Sequence, residues 1–208
     1  MTIVYRLGNK LYLNITNDCS CNCVFCIRNH TQGVGDAASL WLEREPTLKE
    51  IKAALDESLF FGKYVNVEEI VFCGYGEPMM RAHDVITLSH YIKDVYSSLY
   101  GKPAPLVRIN TNGLVFLMCP EFDMRQLDVV DTVSISLTAD DAKEYQRLAR
   151  PMYGEGAFES VLDFAQGAKM HTRVIFSVVE GTLSAQRVEN CKRIAEGIGV
   201  ELRVRGME

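Results

Sequence analysis

The feature that most constrains this fold is an alternation, kept up along most of the chain, between short runs suited to strands and longer runs suited to helices. Strand-like runs fall at 11–16, 69–74, 107–112, 132–137, 172–179 and 201–205. Helix-like runs fall at 48–61, 84–100, 122–127, 158–169 and 184–198. Strands separated by helices form βα units and a parallel sheet. A small hairpin over 3–6, turning at Gly8-Asn9, precedes the first run. Helix punctuation agrees. Thr47 and Glu50 stand at capping-box spacing, and Gly101 and Gly199 follow helix ends, where a left-handed residue is wanted.

Within the strands, successive side chains point to opposite sides. Val133, Ile135 and Leu137 share one side of their run; Thr132, Ser134 and Ser136 share the other. Arg108, Asn110 and Asn112 share a side, as do Tyr12, Asn14 and Thr16, and Arg203 and Arg205 oppose Leu202 and Val204. A sheet with helices on both faces would be apolar on both. One apolar and one polar face predict a curved sheet: helices pack its outside, and its polar inside lines a cavity. Six βα units give a partial (β/α)6 barrel with a lateral opening, short of the eight that close one. A doubly wound open sheet is the competing architecture.

At 208 residues, with 48% apolar and 24% charged, the chain reads as one folded domain over 1–208, not a disordered one. The net charge of −5 argues against a general grip on nucleic acid or an anionic membrane. No apolar run approaches the roughly 18 residues of a membrane span. The opening residues, MTIVYRLGNK, hold no signal-peptide core, so a cytoplasmic location is expected. Seven cysteines in that compartment point to a metal or cluster rather than a disulfide framework.

Four of them crowd the loop after the first strand, where βα barrels build active sites. Cys19, Cys23 and Cys26 have the spacing C-x3-C-x2-C. Three thiolates can hold three irons of a cubane cluster and leave the fourth iron open to a ligand, which a fourth thiolate would close. Cys21, inside the motif, either supplies that fourth thiolate under strain or is a small side chain facing the loop. A zinc knot is the other metal reading, although zinc sites usually pair two C-x2-C units. Cys73, Cys119 and Cys191 stand alone and read as small core residues.

With Phe25 before its last cysteine and six βα units behind it, this loop resembles that of the radical S-adenosylmethionine (radical SAM) superfamily. The resemblance covers nearly the whole chain. It implies a [4Fe–4S] cluster on Cys19, Cys23 and Cys26, whose open iron chelates S-adenosylmethionine. It also implies a 5′-deoxyadenosyl radical that takes hydrogen from a substrate. Cys73-Gly74-Tyr75-Gly76-Glu77-Pro78 resembles the family's Gly-Gly-Glu-Pro stretch, with Tyr75 inserted, and implies backbone contacts to the cofactor's ammonium. Asn110-Thr111-Asn112-Gly113 resembles its Thr-Asn-Gly. Ser134 and Ser136 then match positions that touch ribose and carboxylate. The last strand matches one lying against adenine, where Arg205 can reach a carboxylate or phosphate.

His30, in the loop after the cysteines, and Arg147 and Arg150, after the fourth run, are candidate substrate contacts. No auxiliary-cluster extension or RNA-binding domain is visible. This minimal set most resembles the small radical proteins encoded beside TatD-type metal hydrolases, which implies a functional link to such a hydrolase. Minimal cores also occur in carboxy-deazaguanine synthases and in glycyl-radical activating enzymes. An activase for a partner protein is therefore one alternative, and a non-catalytic iron–sulfur or zinc module another. The family's chemistry implies a one-electron reductant such as flavodoxin or ferredoxin. The substrate, a small molecule or a protein, is left unnamed.

Overall fold

The computed structural model describes residues 1–59, 66–100 and 103–206, with backbone alone at 99 and 100. The elements run β1 (Val4–Leu7), β2 (Lys10–Leu13), α1 (Leu48–Leu59), β3 (Glu69–Phe72), α2 (Ala82–Tyr100), β4 (Leu106–Thr111), α3 (Val115–Met118), β5 (Thr132–Ser136), α4 (Ala142–Ala149), α5 (Ala157–Ala168), β6 (Arg173–Val179), α6 (Ala185–Ile198) and β7 (Glu201–Arg205). The seven strands form one sheet in chain order. β1 and β2 are an antiparallel hairpin, turning through Gly8 at φ 61°, and every later neighbour is parallel. Right-handed crossovers that always step the same way put all their helices on one face. Because β7 pairs with β6 and not with the hairpin, the barrel stays open.

The register makes the two faces explicit. Leu13, Phe72, Ile109, Val133 and Val174 stand side by side across five strands, and Thr111, Ile135, Phe176 and Leu202 form the next row. Ile51 and Leu55 of α1, Val85 and Leu88 of α2, and Val161 and Phe164 of α5 close over this side. Each such side chain, wholly buried, contributes about 1.5–3 kcal/mol. The opposite side carries Tyr12, Val71, Arg108, Thr132 and Arg173 in one row and Asn110, Ser134, Ile175 and Glu201 in the next. There the loop after the cysteines folds back over the hairpin end, where Leu40 packs with Tyr5 and Tyr75, and Tyr12, Ile27, Val34 and Ala37 join them.

Several sequence expectations need correction. The run at 122–127 is a 3-10 helix, Met124–Val129, started by Asp123 accepting from the Arg125 amide. Two further helices, α3 and α4, were not anticipated. Ladder pairing in the first run stops at Leu13, although the Asn14 amide still donates to Ile3 O at 2.8 Å. The capping box is present: the Glu50 amide donates to Thr47 Oγ1 at 3.3 Å, and the Thr47 amide to Glu50 Oε2 at 2.8 Å. Gly199 ends α6 at φ 82°. Residues 60 and 61 and Gly101 lie outside the described residues. Among the described residues no helix is long and apolar enough to cross a membrane.

Candidate active site

The cysteine loop leaves β2 and is stapled to the end of α4. A helix end leaves carbonyls without intrahelical donors. Here the Asn22 amide donates to Ala149 O at 3.0 Å and the Val24 amide to Leu148 O at 2.9 Å. Cys21 forms an isolated antiparallel bridge with Pro151, and the Met152 amide donates to Ser20 O at 3.0 Å. α4, which the sequence pattern did not reveal, is therefore the back wall of the loop.

Inside the motif the thiols differ. Cys21 is buried and receives the Asn112 amide Nδ2 at 3.7 Å. Its hydrogen bond to Cys23 pushes the Cys21 thiol up and holds the Cys23 thiol down, toward thiolate, and the positive charges of Arg28 and Arg205 add to the lowering at Cys23. Burial, then the charge of Glu77, pushes Cys19 up to about 12, and burial raises Cys26. All seven cysteines are free. Among the described residues no three His, Cys, Asp or Glu side chains converge as one metal ion needs. A cubane asks for less convergence, since each thiolate binds its own iron.

The glycine turn abuts this loop. The Glu77 amide donates to Asp18 O at 2.7 Å, next to Cys19. A Cβ on Gly76 would stand 2.6 Å from Asp18 O, and one on Gly74 would collide with the Asn14 side chain, so only glycine allows the approach. Tyr75, between them, is buried; its hydroxyl bonds to Thr31 O and its ring meets Trp41 edge-on at 5.2 Å. Glu77 turns inward: its carboxylate accepts from the Asn112 amide at 2.6 Å and the Met79 amide at 2.9 Å. Burial raises it to about 7. It braces the turn rather than lining the cavity. Pro78 opens the 3-10 helix Pro78–Arg81.

Asn110, Ser134 and Ser136 lie on the polar face. Asn112 follows β4 and donates to Ser20 Oγ at 2.9 Å. Thr111 does not share that face: it is buried on the helix side and accepts from the Gly113 amide at 3.1 Å. Cys73 follows Phe72 and so falls on the cavity side beside Asn110, which corrects its assignment to the core; burial raises its thiol. Cys119 is half-buried near Glu121, whereas Cys191 is a core residue as expected. Phe25 packs, half-buried, against the main core. Arg205, at the end of β7, is close enough for its charge to lower Cys23, Cys26 and Cys73. His30 is exposed. Arg147 is 60% exposed and paired with Glu144 at 2.6 Å, and Arg150 is exposed at a left-handed φ of 47°. All three side chains face solvent.

Sequence reasoning also missed Tyr145 of α4, buried with its hydroxyl bonded to Cys21. Its signal was present: Asp141 and Glu144 have capping spacing, and Tyr145, Leu148 and Ala149 make an apolar stripe.

The sequence model of the radical SAM superfamily matches residues 13–195. The chain therefore belongs to the radical SAM superfamily, enzymes that use a [4Fe–4S] cluster and S-adenosylmethionine. Solved structures agree in fold. SuiB of Streptococcus suis, bound to precursor peptide SuiA, superposes at a TM-score of 0.65 and 14% identity over 99% of this chain and 40% of that one. TYW1 with a lysine–pyruvate adduct gives 0.61 and 17%, over 95% and 64%. Native anSMEcpe with bound AdoMet gives 0.61 and 15%, over 95% and 50%. The chain thus spans between two fifths and two thirds of these longer proteins. No curated protein matches it by sequence.

The residues present suit the cofactors. Three thiols on one loop, one held toward thiolate, face a turn whose glycines leave room for nothing larger. Asn110 Oδ1 is buried without a partner on the polar face of the sheet.

Proposed function

We propose that this chain reductively cleaves S-adenosylmethionine to methionine and a 5′-deoxyadenosyl radical that abstracts hydrogen from a substrate in the barrel. The observation that carries this reading is the adjacency of the three-thiol loop to the glycine turn, locked by the Glu77-to-Asp18 bond. In it Cys19, Cys23 and Cys26 hold the cluster, and backbone from Gly74 to Pro78, with Asn110, Asn112, Ser134, Ser136 and Arg205, frames the cofactor. Thr111 contributes by bracing the end of β4. Cys21 stays a thiol, kept from ligation by its bonds to Asn112 and Tyr145. The loop folded back over the hairpin helps exclude water, which protects a radical from side reactions.

A flavodoxin- or ferredoxin-type donor supplies the electron. We read residues 1–208 as one core domain working in the cytoplasm, and we place it with the small proteins encoded beside TatD-type hydrolases, in functional partnership with such an enzyme. The test is anaerobic reconstitution with iron and sulfide, then dithionite and S-adenosylmethionine. The chain should release 5′-deoxyadenosine and Cys23→Ala should not; equal release by both would overturn the ligand assignment.

A further inference from the structure

The polar face of the sheet is electrically unlike the rest of the chain. Its residues include five cations, Lys10, Arg108, Arg173, Arg203 and Arg205, against two carboxylates, Glu69 and Glu201, a net charge of +3 in a chain whose total is −5. Arg173 is paired with Glu201 at 2.7 Å, near solvent. Deeper in, Lys10 at 2.6 Å and Arg108 at 3.4 Å share the single carboxylate of Glu69; the Lys10 side chain is 40% exposed, those of Glu69 and Arg108 only 12% and 11%. Arg108 Nε is buried with no acceptor, and two residues along, on the same side of β4, Asn110 Oδ1 is buried with no donor. Thr132 and Ser134 stand at their registers on β5.

A buried guanidinium N–H without an acceptor is costly unless an acceptor joins it, and an anionic one answers it best. S-adenosylmethionine does not answer that need, because its ammonium and sulfonium outweigh its one carboxylate. Arg108 also lies below the residues assigned to the cofactor, two residues before Asn110 and four before Asn112 on the same side of β4. We propose that the floor of the barrel binds an anionic group of the substrate, a carboxylate or phosphate, on the guanidinium of Arg108. The substrate class follows: a small acid about as long as the gap from floor to rim, held by its charged end so that its other end meets the radical. Guanidinium is suited to such groups, since its fork matches two oxygens of either anion. The inference rests on the proposed function only in calling the ligand a substrate.

The test titrates cluster-loaded protein with inorganic phosphate and, separately, with malonate, reading binding by calorimetry. Wild type should bind at least one of the two saturably, and which one it prefers separates phosphate from carboxylate substrates. Arg108→Gln should weaken that binding by about tenfold or more, the loss of a charged hydrogen bond. Glu69→Gln, which frees both cations, should strengthen it. Opposite signs from two neighbours are what a merely structural cluster would not give. No binding by wild type, equal binding by Arg108→Gln, or weaker binding by Glu69→Gln would overturn the proposal. Release of 5′-deoxyadenosine by the same wild-type preparation is read alongside. Its failure would sink the radical chemistry whatever the anions do, and its success beside Arg108-independent titrations would sink only the anion site.

Discussion

The two faces of the sheet are made from alternate residues of the same strands, and they are finished in opposite ways. On the helix side, Phe72, Ile109, Val133, Ile135 and Phe176 are wholly buried in one continuous core. On the cavity side, Arg108 and Asn110 keep buried polar atoms without partners, and Ser134 and Ser136 stay half-buried. Native interiors rarely leave such groups unpaired. The contrast says that one face carries the stability of the fold, while the other is incomplete until something polar and charged fills it.

The sharpest way to break this contrast is to truncate one residue on each face. Phe176→Ala should cost about 4 kcal/mol in urea unfolding, as large-to-small core changes do. Ser134→Ala should change stability by less than about 0.5 kcal/mol. It should instead raise the dissociation constant for S-adenosylmethionine in the cluster-loaded protein about fivefold, the loss of one hydrogen bond. Comparable destabilisation by both substitutions would erase the distinction between the faces.

Glu77 sits between the two regions, and its effect is next in size. Burial raises its carboxyl from 4.5 to about 7. The folded protein therefore keeps a proton that the unfolded chain has already released between those values. That stability is fully present below about pH 4.5 and is lost as pH rises through 7, a fall of about 3 kcal/mol. Metal-free Glu77→Gln should lack this fall. Urea midpoints at pH 5 and pH 8 test it, and parallel losses in wild type and variant would contradict the assignment.

Strand alternation alone made the face of most site residues legible in the sequence. The same rule, applied to Cys73 and Thr111 within their runs, puts Cys73 on the polar face and Thr111 against the helices. Local spacing was equally informative for the cysteines and for the glycine turn. What stayed hidden depends on chain returning from afar. The loop carrying Leu40 and Trp41 has no periodicity, and its place comes from Asn14 donating to Leu40 O at 2.7 Å and Asn17 to Leu42 O at 2.7 Å. α4 was hidden by its eight-residue length, which gives its stripe only two turns. The missing partner of Arg108 shows only once Lys10, Glu69 and Arg108 meet across three strands.

The smallest effect is expected outside the site. Arg147→Ala removes an exposed ion pair with Glu144, and such pairs contribute little. Its urea midpoint and its release of 5′-deoxyadenosine should match wild type within error. A clear loss of release would bring α4's outer surface into the account.

The central claim is a cluster tied down by three thiolates, with one iron open to S-adenosylmethionine. Electron paramagnetic resonance of the reduced, anaerobically reconstituted protein tests it directly, with Cys21→Ala run in parallel. The account predicts a [4Fe–4S] signal in both proteins that changes shape when S-adenosylmethionine is added. A signal indifferent to S-adenosylmethionine, or one that disappears in Cys21→Ala, would contradict it.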